Sequence, residues 1–167
     1  MGERNSSSLW GYKNDRWFEH ADLPEARHGL GLLHDVDTHL LFAIGGYGDA
    51  GPSGRTDQFF GSMDDCRWRP GPPLMVPRGF FGLATIGRRA YAVGGRCKEI
   101  PPTEVLDLDR VAAGWTKAAP LPKDLCRFSL VEWNGHLLAF GGETQFGASV
   151  NTEVLEYDPA ADRWTVR

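Results

Sequence analysis

A double glycine that closes an apolar run occurs three times along the chain at nearly constant spacing. The steps between the three pairs are 49 and 47 residues. Tryptophans follow in the same phase, with steps of 51, 47 and 49 residues. Two residue classes that share one period near 50 predict a series of similar structural units. The two sets are Gly45, Gly46, Gly94, Gly95, Gly141 and Gly142, and Trp17, Trp68, Trp115 and Trp164.

The middle unit divides into four candidate strands. Strand A is the apolar, glycine-containing run 79–86, and strand B is 90–93, which ends on a double glycine. Strand C is 103–108, where apolar and polar residues partly alternate, and strand D is 115–118. In the third unit, the strand C that begins at Thr152 aligns with this strand C without a gap. We therefore predict an all-β fold built from four-stranded antiparallel units.

This pattern resembles the kelch-repeat family of β-propellers. The resemblance rests on the apolar run before each double glycine, on the Tyr-Asp-Pro segment 157–159 followed by Trp164, and on the Pro-Arg step 77–78. It extends from Leu9 to the end of the sequence. It implies a partial kelch-type β-propeller of about three and a half four-stranded antiparallel blades, in which the repeated glycines and tryptophans are structural.

We expect one propeller segment over the whole chain, with an incomplete first blade. The half blade lacks its inner strands A and B, so the strands do not close a ring and leave open edges. Three interpretations stay open: the chain is part of a longer propeller, two chains complete a ring, or a host assembly covers the open edges. The expected segments are a flexible N-terminus 1–8, a half blade 9–26, and blades 27–77, 78–126 and 127–167.

Charge and composition exclude some classes of function. The net charge is −4 with both signs interspersed, which argues against a partner such as nucleic acid or an anionic membrane. No apolar stretch approaches the ~20 residues of a membrane helix, and the N-terminus has no apolar signal segment. Three widely spaced cysteines favour a reducing, cytoplasmic compartment. Among them, Cys126 beside Arg127 is the best candidate for a reactive thiol, with a structural role as the alternative.

Arginine recurs once per unit directly before strand A, at Arg27, Arg78 and Arg127. The loops from strand D to strand A would bring these side chains to the mouth of the central channel. There they would bind carboxylates of a partner. The alternative is that each arginine bonds nearby backbone carbonyls and braces its loop. The loops from strand B to strand C on the same face add five candidates for partner contact: Tyr47, Asp49, Arg96, Gln145 and Phe146.

Catalytic and metal-binding patterns are weak. The segment 34–39, His-Asp-Val-Asp-Thr-His, contains potential metal ligands, but it lies where a turn from strand A to strand B is expected. No Ser-His-Asp or Cys-His arrangement follows the repeat phase. The Tyr, Tyr, His and Cys set of radical-copper kelch enzymes also has no counterpart in matching positions. We therefore expect no catalytic residue, metal or cofactor.

The resemblance implies a protein-interaction module with a protein or peptide partner. It is similar to the substrate-recognition propeller of BTB-kelch adaptors for cullin ubiquitin ligases, whose BTB and BACK parts are not found among these 167 residues. Two alternatives remain. One is a structural subunit of a large assembly, in which the partial propeller is docked. The other is a kelch-type enzyme.

Overall fold

The computed structural model describes residues 7–62, 65–96, 99–144 and 147–167. Within these ranges the chain is composed of short β-strands and loops. The only helical segment in the described part is a single 3₁₀ turn at Val111–Ala113. No helix there is long and apolar enough to span a lipid bilayer.

Three four-stranded antiparallel sheets follow an opening two-stranded hairpin. The opening hairpin consists of β1 (Trp10–Lys13) and β2 (Arg16–Glu19). The first blade consists of β3 (Gly31–Asp35), β4 (Leu40–Ile44), the small hairpin β5 (Tyr47–Gly48) and β6 (Gly51–Pro52), β7 (Thr56–Ser62) and β8 (Asp65–Pro70). The second blade consists of β9 (Gly82–Ile86), β10 (Arg89–Val93), β11 (Thr103–Asp107) and β12 (Trp115–Ala118).

The third blade repeats the plan of the first, including a small hairpin in the loop after its second strand. It consists of β13 (Ser129–Trp133), β14 (His136–Phe140), the hairpin β15 (Glu143–Thr144) and β16 (Ser149–Val150), β17 (Leu155–Asp158) and β18 (Arg163–Val166). In each blade the four main strands pair in chain order. The predicted all-β fold with about three and a half blades is therefore confirmed.

Two strand positions differ from the prediction. The innermost strand of the second blade begins at Gly82 rather than at residue 79, because Phe80 has a left-handed backbone with φ of 54°. In the third blade, Ala139 pairs with Leu155, whereas its counterpart Ala92 pairs with Glu104. Both alanines lie two residues before a double glycine. The gap-free alignment of the two C strands therefore differs by two residues from the register that the sheets show.

The double glycines allow neighbouring blades to approach closely. Gly94 has φ of 64°, and a Cβ placed on it would lie 2.6 Å from the carbonyl oxygen of Leu125 in the next blade. Gly45 is in the same relation to the Arg78 carbonyl, also at 2.6 Å. A Cβ on Gly141 would meet nothing within 4 Å in the described structure, where no blade follows the third.

Three of the four repeated tryptophans join their blade to the unit before it. Each indole Nε1 donates a hydrogen bond to a backbone carbonyl in the loop that leaves the preceding unit. The three pairs are Trp68 with Ala21 at 2.8 Å, Trp115 with Pro72 at 3.0 Å, and Trp164 with Ala119 at 3.1 Å. Trp17 in the opening hairpin is instead 66% exposed.

Two apolar clusters fill the spaces between the blades. The cluster between the first and second blades includes Phe42, Ile44 and Leu106. The cluster between the second and third includes Leu125 and Leu155. The two ends of the blade series instead expose large apolar side chains, which are Trp10, Tyr12 and Trp17 at one end and Val131, Trp133 and Phe140 at the other.

Candidate functional site

The loops that connect strands D to A and strands B to C meet at one end of the blades. In the first blade, the backbone of His28 pairs with that of Tyr47. In the third blade, the backbone of Cys126 pairs with that of Glu143 in the same way. These bridges fix the two kinds of loop against each other, so their side chains form one surface.

In the loop that enters the innermost strand of each blade, one residue has a left-handed backbone. Gly29, Phe80 and Arg127 have φ of 61°, 54° and 53°. The N–H of Phe80 donates to the Gly29 carbonyl at 2.7 Å, and the N–H of Arg127 donates to the Phe80 carbonyl at 2.8 Å. The three residues therefore occupy equivalent positions in successive blades. Glycine accepts this conformation without strain, whereas a bulky phenylalanine there is an outlier.

Phe80 packs into an aromatic cluster with two residues of the first blade. Its ring centroid lies 5.5 Å from that of His28 and 5.6 Å from that of Tyr47. The His28 and Tyr47 rings are stacked, with centroids 5.8 Å apart. A Cβ on Gly29 would lie 2.8 Å from the Phe80 ring. The glycine in the first blade therefore makes room for the phenylalanine of the second.

Arg127 extends this cluster into solvent. The guanidinium carbon of Arg127 lies 4.4 Å from the Phe80 ring centroid, which is a cation–π contact. Its Nη1 also forms a salt bridge with Glu143. Arg127 is exposed, while Phe80 and Tyr47 are half-buried. We refer to His28, Tyr47, Phe80, Arg127 and Glu143 as the aromatic–arginine surface.

Arg27 is buried within its own blade. Its Nη1 donates to the Gly45 carbonyl at 2.9 Å and to the Arg55 carbonyl at 3.0 Å. Its Nη2 forms a salt bridge of 2.6 Å with the buried Asp57 carboxylate. Burial lowers the pKa of the Arg27 guanidinium, and Asp57 opposes this effect. Arg27 therefore has the bracing role, and its side chain is not presented to a partner.

Arg78 has the same role in the second blade. Its Nη1 donates to the Gly94 carbonyl at 3.2 Å, and its Nη2 forms a salt bridge of 2.7 Å with Glu104. Both side chains have no exposed area. Glu104 also accepts hydrogen bonds from the backbone N–H groups of Met75 at 2.7 Å and Val76 at 3.0 Å. The pair therefore ties the loop that enters the blade to its third strand.

Arg127 is not the structural counterpart of these two buried arginines. The N–H of Gly46 donates to the Arg78 carbonyl, and the N–H of Gly95 donates in the same way to the Leu125 carbonyl. The third blade thus has Leu125 where the second has Arg78. The predicted ring of three equivalent arginines is therefore corrected to two buried braces and one exposed arginine two residues out of phase.

The other predicted contact residues lie in the same loops. Arg96 is half-buried, and its Nη1 donates to the Pro77 carbonyl at 3.3 Å and its Nη2 to Glu99 at 3.0 Å. Asp49 is exposed in the turn between β5 and β6. Gln145 and Phe146 lie outside the described residues.

Sequence reasoning missed three members of the aromatic–arginine surface. His28 and Phe80 were not among the expected contact residues, and Phe80 lies within the run 79–86 that is predicted as strand A. Glu143 directly follows the last double glycine and was not singled out. The signal that could have found Phe80 is its place two residues after Arg78, where the first unit has Gly29. A large side chain at a glycine position indicates a special backbone conformation.

Cys126 is disulfide-bonded. The prediction of a reactive thiol at Cys126 is therefore wrong, because the sulfur is already oxidised.

The segment 34–39 comprises the end of β3 and the turn that leads to β4. The carboxylate of Asp35 is buried and accepts hydrogen bonds from Arg88 of the next blade at 2.6 and 3.1 Å. Arg88 also forms salt bridges with Asp37 at 2.8 Å and Asp109 at 2.9 Å. In the described part of the chain, no three His, Cys, Asp or Glu side chains come together as metal ligands would. Asp35 and Arg88 instead clamp two blades together.

This clamp predicts a specific pH dependence of stability. The hydrogen bond from Arg88 lowers the pKa of Asp35 from 3.8 to about 2. Because the folded pKa lies below the unfolded one, the stabilisation is complete above pH ~5 and declines as the pH falls through about 2. We expect Asp35→Asn to lower the free energy of unfolding by roughly 2 kcal/mol at pH 7. Roughly half of that difference should remain at pH 3.

Urea unfolding of both proteins between pH 7 and pH 3 measures this difference directly. Asp37→Asn is the matched control, because Asp37 contacts the same arginine but is exposed. Its effect should stay below about 1 kcal/mol. A difference between wild type and Asp35→Asn that is the same at pH 7 and pH 3 would contradict the proposed clamp.

Comparisons with known proteins find relatives among kelch-like proteins. No protein-family model matches the chain. Kelch-like protein 34 of Homo sapiens is 28% identical over 163 residues, which are 95% of this chain and 25% of that protein. Kelch-like protein terF of Aspergillus terreus is 31% identical over 160 residues, which are 91% of this chain and 34% of that protein. The chain thus spans between about a quarter and a third of the length of these two relatives.

A solved structure titled "Structure of YjhT" shares the fold. The two chains are 15% identical and superpose with a TM-score of 0.76 over 96% of this chain and 52% of the other. The class of protein is therefore a β-propeller, of which this chain forms three blades and an opening hairpin. Within that class the chain belongs to the kelch-repeat family, as part of a kelch-type propeller.

Proposed function

We propose that the chain is a non-catalytic protein-interaction module whose aromatic–arginine surface contacts a peptide segment of a protein partner. The observation that carries this proposal is the backbone of Phe80. A non-glycine residue in the left-handed region is strained by about 1–2 kcal/mol, and such strain is concentrated at ligand-binding sites. The left-handed conformation directs the Phe80 ring toward the surface, where it lies in contact with Tyr47 and Arg127.

The chemistry of the surface suits a protein partner. Aromatic residues and arginine are enriched at protein interfaces, and tyrosine and arginine are frequent hot spots. The Phe80 ring and the Glu143 carboxylate hold the Arg127 guanidinium, so little side-chain entropy is lost on binding. Asp49, Arg96, Gln145 and Phe146 would extend the contact, whereas Arg27 and Arg78 would act by positioning the loops.

The finer proposal is a role in substrate recognition by an adaptor of a cullin ubiquitin ligase. It rests on similarity to kelch-like proteins, including the human protein named Kelch repeat and BTB domain-containing protein 12, which is 29% identical over 101 residues. In this role the propeller would bind the substrate, and the ligase would be bound by a different part of the protein. Co-precipitation of a cullin with the full-length protein tests this role separately from peptide binding.

Replacing Phe80 by glycine should separate binding from folding. Glycine relieves the backbone strain and reproduces the first blade, so we expect the free energy of unfolding to stay within about 1 kcal/mol of the wild type. Peptides selected from a displayed random library on the wild-type chain should bind Phe80→Gly at least tenfold more weakly. Fluorescence polarisation with the selected peptides measures the dissociation constants.

Two further variants make this test specific. Arg127→Ala should weaken the binding of the same peptides by a similar factor, because it removes the exposed cation of the surface. Arg110→Ala is the control, since Arg110 is 78% exposed in the loop between β11 and β12, at the opposite end of the blades. Selected peptides that bind Phe80→Gly and Arg127→Ala as tightly as the wild type would contradict the proposed function, as would a selection that yields no binding peptide.

The second candidate is a structural subunit of a large assembly, in which further blades come from another chain or from the host. The exposed aromatic side chains of the opening hairpin and of the third blade favour it, because large apolar patches are unusual on monomers. In this case the purified chain should associate with itself. Native mass spectrometry distinguishes the two, since a compact monomer would argue against the assembly role.

A further inference from the structure

The two spaces between complete blades are filled differently. Counted back from the double glycines, Arg89 and Tyr91 of β10 correspond to Leu40 and Phe42 of β4. Phe42 is buried in the apolar cluster between the first and second blades, and Leu40 packs against that cluster. Between the second and third blades, the same two positions therefore carry an arginine and a tyrosine.

The loop between strands C and D also differs between the two spaces. In the second blade this loop contains Leu108 and Val111, which pack toward the first blade. In the third blade it is the short turn 159–162, because Asp158 already pairs with Arg163. The shorter turn leaves a cavity of about 470 Å³. We call it the wedge, and its lining includes Arg89, Tyr91, Val105, Asp107, Tyr157 and Asp162.

The acidic groups in the wedge are already bound by groups of the protein. Asp107 accepts hydrogen bonds from Arg110 at 2.9 Å and from the N–H of Asp109 at 3.0 Å. Asp162 accepts hydrogen bonds from the Tyr157 hydroxyl at 2.7 Å and from the N–H of Ala119 at 2.8 Å. Burial, together with the Asp162 carboxylate, raises the pKa of Tyr157, so its hydroxyl remains a donor at neutral pH.

The basic and hydroxyl groups of β10 are not used in this way. The Arg89 guanidinium and the Tyr91 hydroxyl donate no hydrogen bond to any residue in the ranges described above. Arg89 and Tyr91 are two residues apart on one strand, so their side chains leave the same face of the sheet. That face is the one that looks onto the third blade, because the Tyr91 ring contacts the Tyr157 ring at 5.8 Å.

We propose that the wedge binds a small ligand that carries a carboxylate or phosphate group. The oxyanion accepts hydrogen bonds from the Arg89 guanidinium and the Tyr91 hydroxyl, in the planar geometry that favours arginine for such groups. The apolar part of the ligand lies against Val105 and the Tyr157 ring. The cavity volume is in the range of small-molecule sites. This site is separate from the aromatic–arginine surface, so either can exist without the other.

Phenyl phosphate and benzoate are suitable probes, with benzyl alcohol as the neutral analogue. Saturation-transfer difference NMR on the full chain detects weak ligands and gives their dissociation constants by titration. We expect both anions to bind and benzyl alcohol not to bind. The phosphate and carboxylate probes together show which oxyanion the wedge prefers.

Three variants tie binding to the wedge. Arg89→Leu introduces the residue that the first blade already has at this position, so the fold should be retained, and both anions should bind at least tenfold more weakly. Tyr91→Phe should weaken the binding of both anions about threefold or more. Arg16→Leu is the control, because Arg16 is an exposed arginine in β2, and binding should not change.

The proposal is overturned by any of three results. The first is that neither anion binds at a concentration of about 10 mM, at which even weak ligands are detected. The second is equal binding of phenyl phosphate to the wild type and to Arg89→Leu. The third is binding of benzyl alcohol as strong as that of the anions. Circular dichroism of each variant shows whether the β fold is intact, so that a loss of binding is not mistaken for unfolding.

Discussion

Replacing Glu104 by leucine should lower the free energy of unfolding by about 3–5 kcal/mol. The substitution leaves the Arg78 guanidinium fully buried without its carboxylate partner. It also removes the acceptor for the backbone N–H groups of Met75 and Val76. Urea unfolding monitored by tryptophan fluorescence measures the change.

The third blade suggests a variant that separates these contributions. Its two equivalent positions are Leu125 and Leu155, which are both buried. In Arg78→Leu/Glu104→Leu, no unpaired charge remains, although the two N–H groups still lack an acceptor. We expect the double variant to be more stable than Glu104→Leu alone, with a remaining loss of about 2 kcal/mol. The single variant Arg78→Leu completes the comparison. If the stability lost in the double variant equals the sum of the losses in Arg78→Leu and Glu104→Leu, the two side chains are not coupled.

Glu153→Leu is a matched control from the same sequence motif. Glu153 corresponds to Glu104 in the gap-free alignment, yet in the structure its side chain is 45% exposed and pairs with Lys123. An exposed ion pair contributes little, so the loss should stay below about 1 kcal/mol. Similar losses for Glu104→Leu and Glu153→Leu would mean that the alignment, and not the observed register, describes the third blade.

The repeat period was sufficient to predict the fold because its markers are tied to contacts between blades. The double glycines allow close approach to the next blade, and the tryptophans bond to the preceding one. Each contact depends on the residue type, because a Cβ on Gly94 would meet a backbone carbonyl oxygen at 2.6 Å and the hydrogen bond of Trp115 needs an indole N–H, so both leave a clear signal in the sequence. Strands B and D, which end or begin at these markers, were accordingly predicted to within a residue in the second blade.

The register of strand C could not be predicted in the third blade. A shift of two residues keeps every side chain on the same face of the strand, so the alternating pattern is unchanged. Judged by this alternating pattern alone, the segment Thr-Glu-Val-Leu fits the sheet equally well in either register. The observed register buries Leu155 opposite Ala139 and leaves the Glu153 side chain 45% exposed. A leucine is the more favourable side chain to bury at this position, because Leu125 takes the place of the arginine that would pair with a carboxylate there.

The candidate site was only partly predictable for a related reason. The recurrence of arginine before each inner strand suggested a ring of equivalent side chains. The first blade, however, has a longer turn between its first two strands, so that Arg27 lies 18 residues before its double glycine and Arg78 lies 16 before the next. Arg127 lies 14 residues before its double glycine, and only the backbone hydrogen bonds reveal that Leu125 is the true counterpart.

Replacing Trp115 by alanine should also lower the free energy of unfolding by about 3–5 kcal/mol. The Trp115 side chain belongs to the apolar cluster between the first two blades, and only 6% of its surface is exposed. The variant opens a cavity between these blades and removes the hydrogen bond from the indole Nε1 to the Pro72 carbonyl. Both effects weaken the contact between neighbouring blades, so the unfolding transition should also become less cooperative.

Two variants show which part of the tryptophan is responsible. Trp115→Phe keeps most of the ring but removes the N–H donor, and we expect a smaller loss than for Trp115→Ala. Trp17→Ala tests the same residue type at the same phase of the repeat, where the ring is 66% exposed because no unit precedes it in the described structure. Its loss should stay below about 1 kcal/mol, since little buried area is removed. If Trp17→Ala and Trp115→Ala destabilise the chain equally, the tryptophans act within their own hairpins, and their proposed role between blades must be abandoned.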